Sequence, residues 1–175
     1  PWEQALQRWM ESVAPAERTF TRASRRGGSR SDVVLPGRRR EGWMLNVILD
    51  TSGSMTDELP RALGAIADFC DAAGVDRVRL VQCDAALAAD DVVTPDALAH
   101  YTVAGFGGSD LAPAFDHLAD DPHVAAALVI TDGDVALPAE RPPFNVLWIV
   151  PAVQGNNAAA RFAPSFGRVL VMEPR

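Results

Sequence analysis

The run Met44-Leu45-Asn46-Val47-Ile48-Leu49 is nearly continuous in apolar residues and stops at Asp50. That pattern suits a strand buried on both faces, as in a parallel sheet, and not a half-exposed strand that alternates. Val78–Cys83, Ala125–Thr131, Asn145–Val150 and Arg168–Met172 read as further strands. Helical spacing fills the gaps between them. Residues 55–73 carry Leu59, Leu63, Ile66, Ala67 and Cys70 on one face, tolerate Pro60 in the first turns, and end at Gly74. Residues 95–101 suit a turn or two of helix, and Leu111–Leu118 suits another helix with Ser109 or Asp110 as its N-cap. Ala86–Ala88 and Val92–Val93 read as a short edge strand and its return. Strands alternating with helices give an α/β fold: a mostly parallel central sheet flanked by helices on both faces.

The N-terminal part has a different character. Trp2, Leu6, Trp9, Met10 and Val13 recur at helical spacing, and Pro15 should end that helix. Residues 16–42 are rich in Arg, Gly and Ser and read as an extended linker. Residues 1–41 hold 9 Arg against 5 acidic residues, and 42–175 hold 7 against 18. A basic leader at 1–42 therefore precedes an acidic domain at 43–175, and the leader is expected to be an arm lying on the acidic body, with a nucleic-acid- or partner-binding arm as the alternative. The chain begins at Pro1, without an initiator Met, and reads as part of a longer protein.

Composition excludes several activities. All 16 basic residues are Arg. A Walker-type phosphate loop, a Schiff-base cofactor site and a protein-kinase strand each need a Lys. A net charge of −7 argues against a dedicated nucleic-acid binder. No apolar run reaches the roughly 18 residues that span a bilayer. Cys70 and Cys83 are too few for a disulfide framework and are expected to be reduced core residues of a cytoplasmic protein.

The loops at the strand ends are more specific. In sheets of this kind ligands bind beyond the carboxyl ends of the strands, near the point where strand order reverses. Asp50-Thr51-Ser52-Gly53-Ser54 comes after the first strand, Gly107-Gly108-Ser109-Asp110 precedes a helix, and Thr131-Asp132-Gly133-Asp134 comes after the third long strand. Taken singly, each has an ordinary explanation as a helix cap or a turn. Together they gather carboxylates and hydroxyls at one edge. Clustered carboxylates repel unless a proton or a cation partners them. Oxygen-only donors select a hard ion, Mg²⁺, Mn²⁺ or Ca²⁺, over zinc.

D-T-S-G-S at 50–54 resembles the D-x-S-x-S motif of von Willebrand factor A (VWA) domains, which defines their metal-ion-dependent adhesion site. G-G-S-D at 107–110 is similar to the family's G-G-T-D loop, and T-D-G at 131–133 to its third, Asp-bearing loop. The resemblance spans residues 43–172 and implies a Rossmann-like VWA fold. It implies that Ser52, Ser54 and Ser109 bind a divalent cation directly, with Mg²⁺ the first expectation, and that Asp50 and Asp132 hold it through waters. Ser109 replaces the usual Thr but keeps the hydroxyl. Asp110 and Asp134 have no role in the motif beyond capping or adjusting the loops. Phe106 is expected to pack beneath the site.

P-W-E-Q-A-L at 1–6, S-R-R at 24–26, V-L-P-G at 34–37 and F-G-R-V-L at 166–170 resemble bacterial VWA-like proteins with a zinc-metallopeptidase-like region ahead of the VWA part. Those proteins are similar to partners of MoxR-type AAA+ ATPases. The resemblance implies a non-enzymatic module that binds an acidic residue of a protein partner through the cation, with such an ATPase as the partner. Two other readings remain. One is a regulatory domain of a zinc peptidase, although no H-E-x-x-H is present. The other is a Mg²⁺-dependent phosphohydrolase using Asp50, although Ser52 stands where a haloacid-dehalogenase-type enzyme needs a second Asp. A serine hydrolase is disfavoured because G-x-S-x-G is absent. His100, His117 and His123 do not have metal-ligand spacing and read as surface or helix-end residues.

Overall fold

The computed structural model describes residues 2–14, 17–23, 36–39, 43–55, 58–103, 110–152 and 158–173. The expected strands are present as β3 (Met44–Asp50), β4 (Arg77–Cys83), β6 (Ala126–Ile130), β7 (Asn145–Pro151) and β8 (Arg168–Met172). With β5 (Leu87–Val93) they make a six-stranded sheet in the order β5-β4-β3-β6-β7-β8. All neighbours are parallel except β4 and β5. β3 is flanked by β4 on one side and β6 on the other, so the order reverses at β3 and β6. That is the place where the carboxyl ends of the strands open a ligand crevice.

Alternate residues of each strand serve opposite faces. Leu45, Val47 and Leu49 of β3, with Leu80, Leu128, Ile130 and Ile149, pack in one core with α1 (Trp2–Val13) and α2 (Leu59–Ala73). α3 (Pro95–Leu98) joins that face through Leu98. Ile48, Val81, Val129 and Trp148 pack in the other core, with α4 (Ala112–Ala119) and Phe162 beside α5 (Ala158–Arg161). Trp148 is the centre of that second core. Its ring lies 5.3–5.8 Å from those of Phe115, Phe162 and Phe166, and its Nε1–H donates to the Phe166 carbonyl at 2.9 Å. Gly167 has φ +81, and a Cβ there would sit 2.6 Å from that same Nε1, so only glycine fits this approach to Trp148.

Three expectations need correction, and one element has no expectation to match. The stretch 16–42 is not simply extended linker: β1 (Glu17–Ala23) and β2 (Pro36–Arg39) pair as an antiparallel two-stranded sheet. β5 is one continuous strand, not two short pieces, because its pairing with β4 runs from Val93 to Leu87 opposite Val78 to Cys83. The second helix starts at Leu59, not at 55; Gly53–Met55 is a separate 3₁₀ turn, and Pro60 falls in the first turn, where its missing N–H is not needed. It ends as expected at Gly74, whose φ is 70. α5 has no counterpart in the sequence reading.

The edge strand β5 is held by charge as well as by its ladder. Arg79 of β4 makes a two-pronged contact with Asp90 of β5, Nε to Oδ1 at 2.8 Å and Nη2 to Oδ2 at 2.7 Å. Its Nη1 reaches Asp121, just after α4, at 3.0 Å, and His117 Nε2 of α4 meets Asp90 Oδ2 at 2.7 Å. His117 is thus a helix-end histidine with a structural partner. The Arg79 guanidinium holds the Asp90 carboxyl down at about 2. A carboxyl lowered on folding stabilises the native state above its unfolded value and loses that contribution as pH falls through the folded one. Asp90→Asn is therefore expected to cost about 1 kcal/mol at pH 7, since the pair is partly open to solvent. The gap from wild type should narrow as pH falls from about 4 toward 2. Urea unfolding of both proteins at pH 7 and at low pH measures it, and a gap that widens on acidification contradicts the assignment.

Candidate functional site

Register places the acidic residues. Asp50 ends β3 opposite Cys83 of β4, and Leu49 pairs with Ile130, the last residue of β6. The residues just after β6 therefore lie beside Asp50. Thr131 Oγ1 donates to Asp50 Oδ2 at 2.7 Å, and the Ser52 N–H donates to Asp50 Oδ1 at 3.0 Å. Asp50 and Thr131 are fully buried, and Asp132 is 8% exposed. Both oxygens of Asp50 are thus held by donors from the two central strands' own loops. Thr131 Oγ1 in turn accepts the Gly133 N–H at 3.1 Å, and Asp132 Oδ1 accepts the Asp134 N–H at 2.9 Å. The turn 131–134 is fixed by its own side chains, the usual behaviour of Thr and Asp after a strand.

The electrostatics are strained in one direction. Burial pushes the Asp50 carboxyl above the usual range, and the nearby Asp132 charge adds to the rise; the hydrogen bonds from Thr131 and Ser52 oppose it. Two carboxylates near one another at low exposure are stabilised as anions by hydrogen-bond donors and by any compensating positive charge. Among the described residues no three His, Cys, Asp or Glu side chains converge on one point. A cation at this edge would therefore depend on hydroxyl and water oxygens as well as on Asp50 and Asp132. That donor chemistry fits a hard divalent ion.

Asp110, the one described residue of the third loop, reaches the same edge. The Asp110 N–H donates to the Asp84 carbonyl, just past β4, at 2.6 Å, and the Leu111 N–H donates to the Ala136 carbonyl at 3.3 Å. Asp110 and Ala136 form an isolated parallel bridge, and the Cys83 thiol donates to the Asp110 carbonyl at 3.2 Å. Asp110 is thereby stitched to the ends of β4 and of the 131–136 segment. Its carboxylate accepts the Ala112 N–H at 2.9 Å, so it caps the start of α4 although Leu111 occupies the N-cap position. Asp84 accepts the Ala86 N–H at 3.2 Å and is a turn residue.

Of the five expected ligands, Asp50, Ser52 and Asp132 are brought together at the switch point. Ser54 lies in the 3₁₀ turn directly after Ser52, with its side chain outside the described residues. Ser109 and Phe106 also lie outside the described residues, although Asp110, next to Ser109, is at this edge. Sequence reasoning does not single out Thr131. Its hydroxyl donates to Asp50, and the one signal for it is a Thr immediately after a buried strand. Cys70 and Cys83 are both buried and form no disulfide, and burial pushes the Cys83 thiol up, away from reactivity.

With this geometry in place, a family model described as VWA-like domain (DUF2201) matches residues 45–173, well over half of the chain and all of the six-stranded sheet but its first residue. No curated protein matches the chain.

Removing the Thr131 hydroxyl takes a donor from a buried carboxylate, which costs about 1–3 kcal/mol. Thr131→Val is expected to lower stability by that amount in metal-free buffer, whereas Thr131→Ser should keep most of it. Equal stability of the Val variant and wild type in chemical denaturation would show that the hydrogen bond carries no weight.

Proposed function

This chain belongs to the VWA-like domain family, and we propose on that footing that it is a metal-dependent protein-interaction module. The carrying observation is the pair Asp50–Asp132 at the adjacent ends of β3 and β6, with Asp50 locked from both sides. Ser52, Ser54 and Ser109 would hold a divalent cation through their hydroxyls, with Asp50 and Asp132 supporting it through waters. Mg²⁺ suits this set best, because it favours oxygen donors and keeps several of its waters. When bound, the ion supplies positive charge and a coordination position for a carboxylate of a partner.

The chain's own residues favour binding over catalysis. Asp50 is fully buried and both its oxygens accept hydrogen bonds, so it is poorly placed to attack a substrate. Neutral hydroxyl donors leave more net charge on a cation than carboxylates would, which suits the capture of an Asp or Glu. The acidic body repels an acidic partner everywhere else, so the contact would be confined to this edge. The resemblance of the leader segments to bacterial VWA-like proteins makes a MoxR-type AAA+ ATPase the partner we propose, in a cytoplasmic setting that two cysteines without a disulfide favour. Among the described residues no helix is long and apolar enough to cross a membrane.

Magnesium at about a hundred times its dissociation constant is expected to stabilise the native state by about 2.7 kcal/mol, a rise in Tm of about 5–10 °C. Asp50→Ala should abolish the rise. The same rise in both proteins would place the ion elsewhere. Ser54→Ala should weaken binding of the ATPase partner in Mg²⁺ to the level seen in EDTA while leaving the unfolding cooperative; unchanged affinity across the four conditions would remove the metal from the interaction.

A further inference from the structure

A cavity of about 180 Å³ opens directly beside the D-x-S-x-S loop, between the start of α2 and the segment after α3. Its walls are Leu59 and Leu63 of α2 and Leu98 of α3, all nearly fully buried, with the half-buried Tyr101 and Val103 closing one side. Thr51 and Ser52 stand at its edge toward the candidate metal site, and the exposed Ala99 forms part of its outer rim.

The cavity's polar neighbours are already engaged. The Tyr101 hydroxyl donates to Asp91 Oδ2 at 2.7 Å and accepts from Gln82 Nε2 at 2.7 Å, so that residue offers the cavity its ring. Burial and Asp91 push its phenol up to about 12, keeping it a neutral donor. The Thr51 hydroxyl donates to the Cys83 carbonyl at 3.4 Å. An occupant therefore finds an apolar surface, not hydrogen-bonding groups in search of partners. The volume is below the usual range of about 300–1,000 Å³ for a small-molecule or cofactor site. It is close to the roughly 150 Å³ of an apolar cavity that accepts a single benzene ring. One Leu, Met or Phe side chain fits; a cofactor does not.

We propose that this cavity is the specificity pocket of the interaction edge, taking one large apolar side chain of a partner peptide whose neighbouring Asp or Glu reaches the metal site. The occupant is a segment of another protein with a short acidic–apolar motif. Two features of the surface select it: the site at Asp50, Ser52 and Asp132 is the place where an acidic residue is tolerated on an acidic body, and Ser52 belongs to both that site and the cavity's edge. A carboxylate alone would be accepted from any acidic surface. The adjoining pocket makes the choice depend on sequence, since burying the apolar side chain adds affinity only when the spacing from the acid is right. The proposal rests on the metal-dependent reading above, and the experiment separates the two.

The probe is a library of short peptides with one fixed Glu and randomised flanks, selected on the full chain in Mg²⁺. Enrichment of Leu, Met or Phe at one fixed offset from the Glu is expected. Replacing that apolar residue by Ala in a selected peptide should weaken binding about tenfold or more. Ala99→Phe, at the exposed rim, narrows the cavity while leaving every candidate metal ligand unaltered; it should weaken the selected peptide by a similar factor, leave its Ala-substituted form unaffected, and leave the Mg²⁺-dependent rise in Tm intact. No positional enrichment, or full affinity in Ala99→Phe, overturns the pocket assignment while the Mg²⁺ response still stands or falls on its own. Binding that survives EDTA and Asp50→Ala but is lost in Ala99→Phe overturns the metal reading and keeps the pocket. Failure to select any peptide in Mg²⁺ overturns both.

Discussion

The hydrogen bond from Thr131 Oγ1 to Asp50 Oδ2 joins the ends of the two central strands at the point where the sheet's order reverses. Everything at this edge is arranged around it. Asp50 is the final residue of a strand buried on both faces, so its carboxylate has little solvent and must be satisfied by protein groups. Thr131 donates to one of its oxygens and the Ser52 N–H to the other, which fixes both the start of the 51–55 loop and the turn 131–134. A carboxylate so held is a rigid support for whatever gathers above it, with no side-chain freedom left to lose on binding.

The rest of the edge extends that rigidity outward. Asp110 ties the beginning of α4 to the ends of β4 and of the turn after β6, through backbone donors and the Cys83 thiol. On the flank of the sheet, Arg79 joins β4, β5 and α4 in one charged cluster. Asp91, next to the Arg79 partner Asp90, engages Tyr101, which lines the cavity beside the candidate metal loop. The acidic composition is thus partly used up inside the fold: Asp90 and Asp91 are structural on the edge strand, whereas Asp50 and Asp132 lie buried at the ends of β3 and β6.

Strands buried on both faces are easy to read from sequence. β3, β6 and β7 are short apolar runs, and no helical period competes with them. β5 reads as two fragments because Asp90 and Asp91 interrupt it; acidic residues are poor strand formers until Arg79 and Tyr101 pair with them. β1 and β2 escape notice for a related reason, since pairing Glu17 with Arg39 depends on a register that a charged, glycine-rich stretch does not announce. The three polar loops read as a set because each adjoins a strong element, and their order resembles that of the VWA motif. Thr131 is easily overlooked because a Thr after a strand is commonplace; its meaning comes from lying beside Asp50, which only the β3–β6 pairing determines.

The packing of α1 carries a consequence for how the chain reaches this state. Trp2, Leu6 and Met10 share a core with Leu170 and Met172 of β8, and Arg61 of α2 lies over the Trp2 ring while donating to the Glu173 carbonyl. Residues near the start of this sequence therefore settle against residues near its end. Such contacts close a loop nearly the length of the sequence and raise its contact order, which slows folding. Until β8 has left the ribosome, the apolar face of α1 lacks its final cover. α1 and β8 thus complete one another's packing.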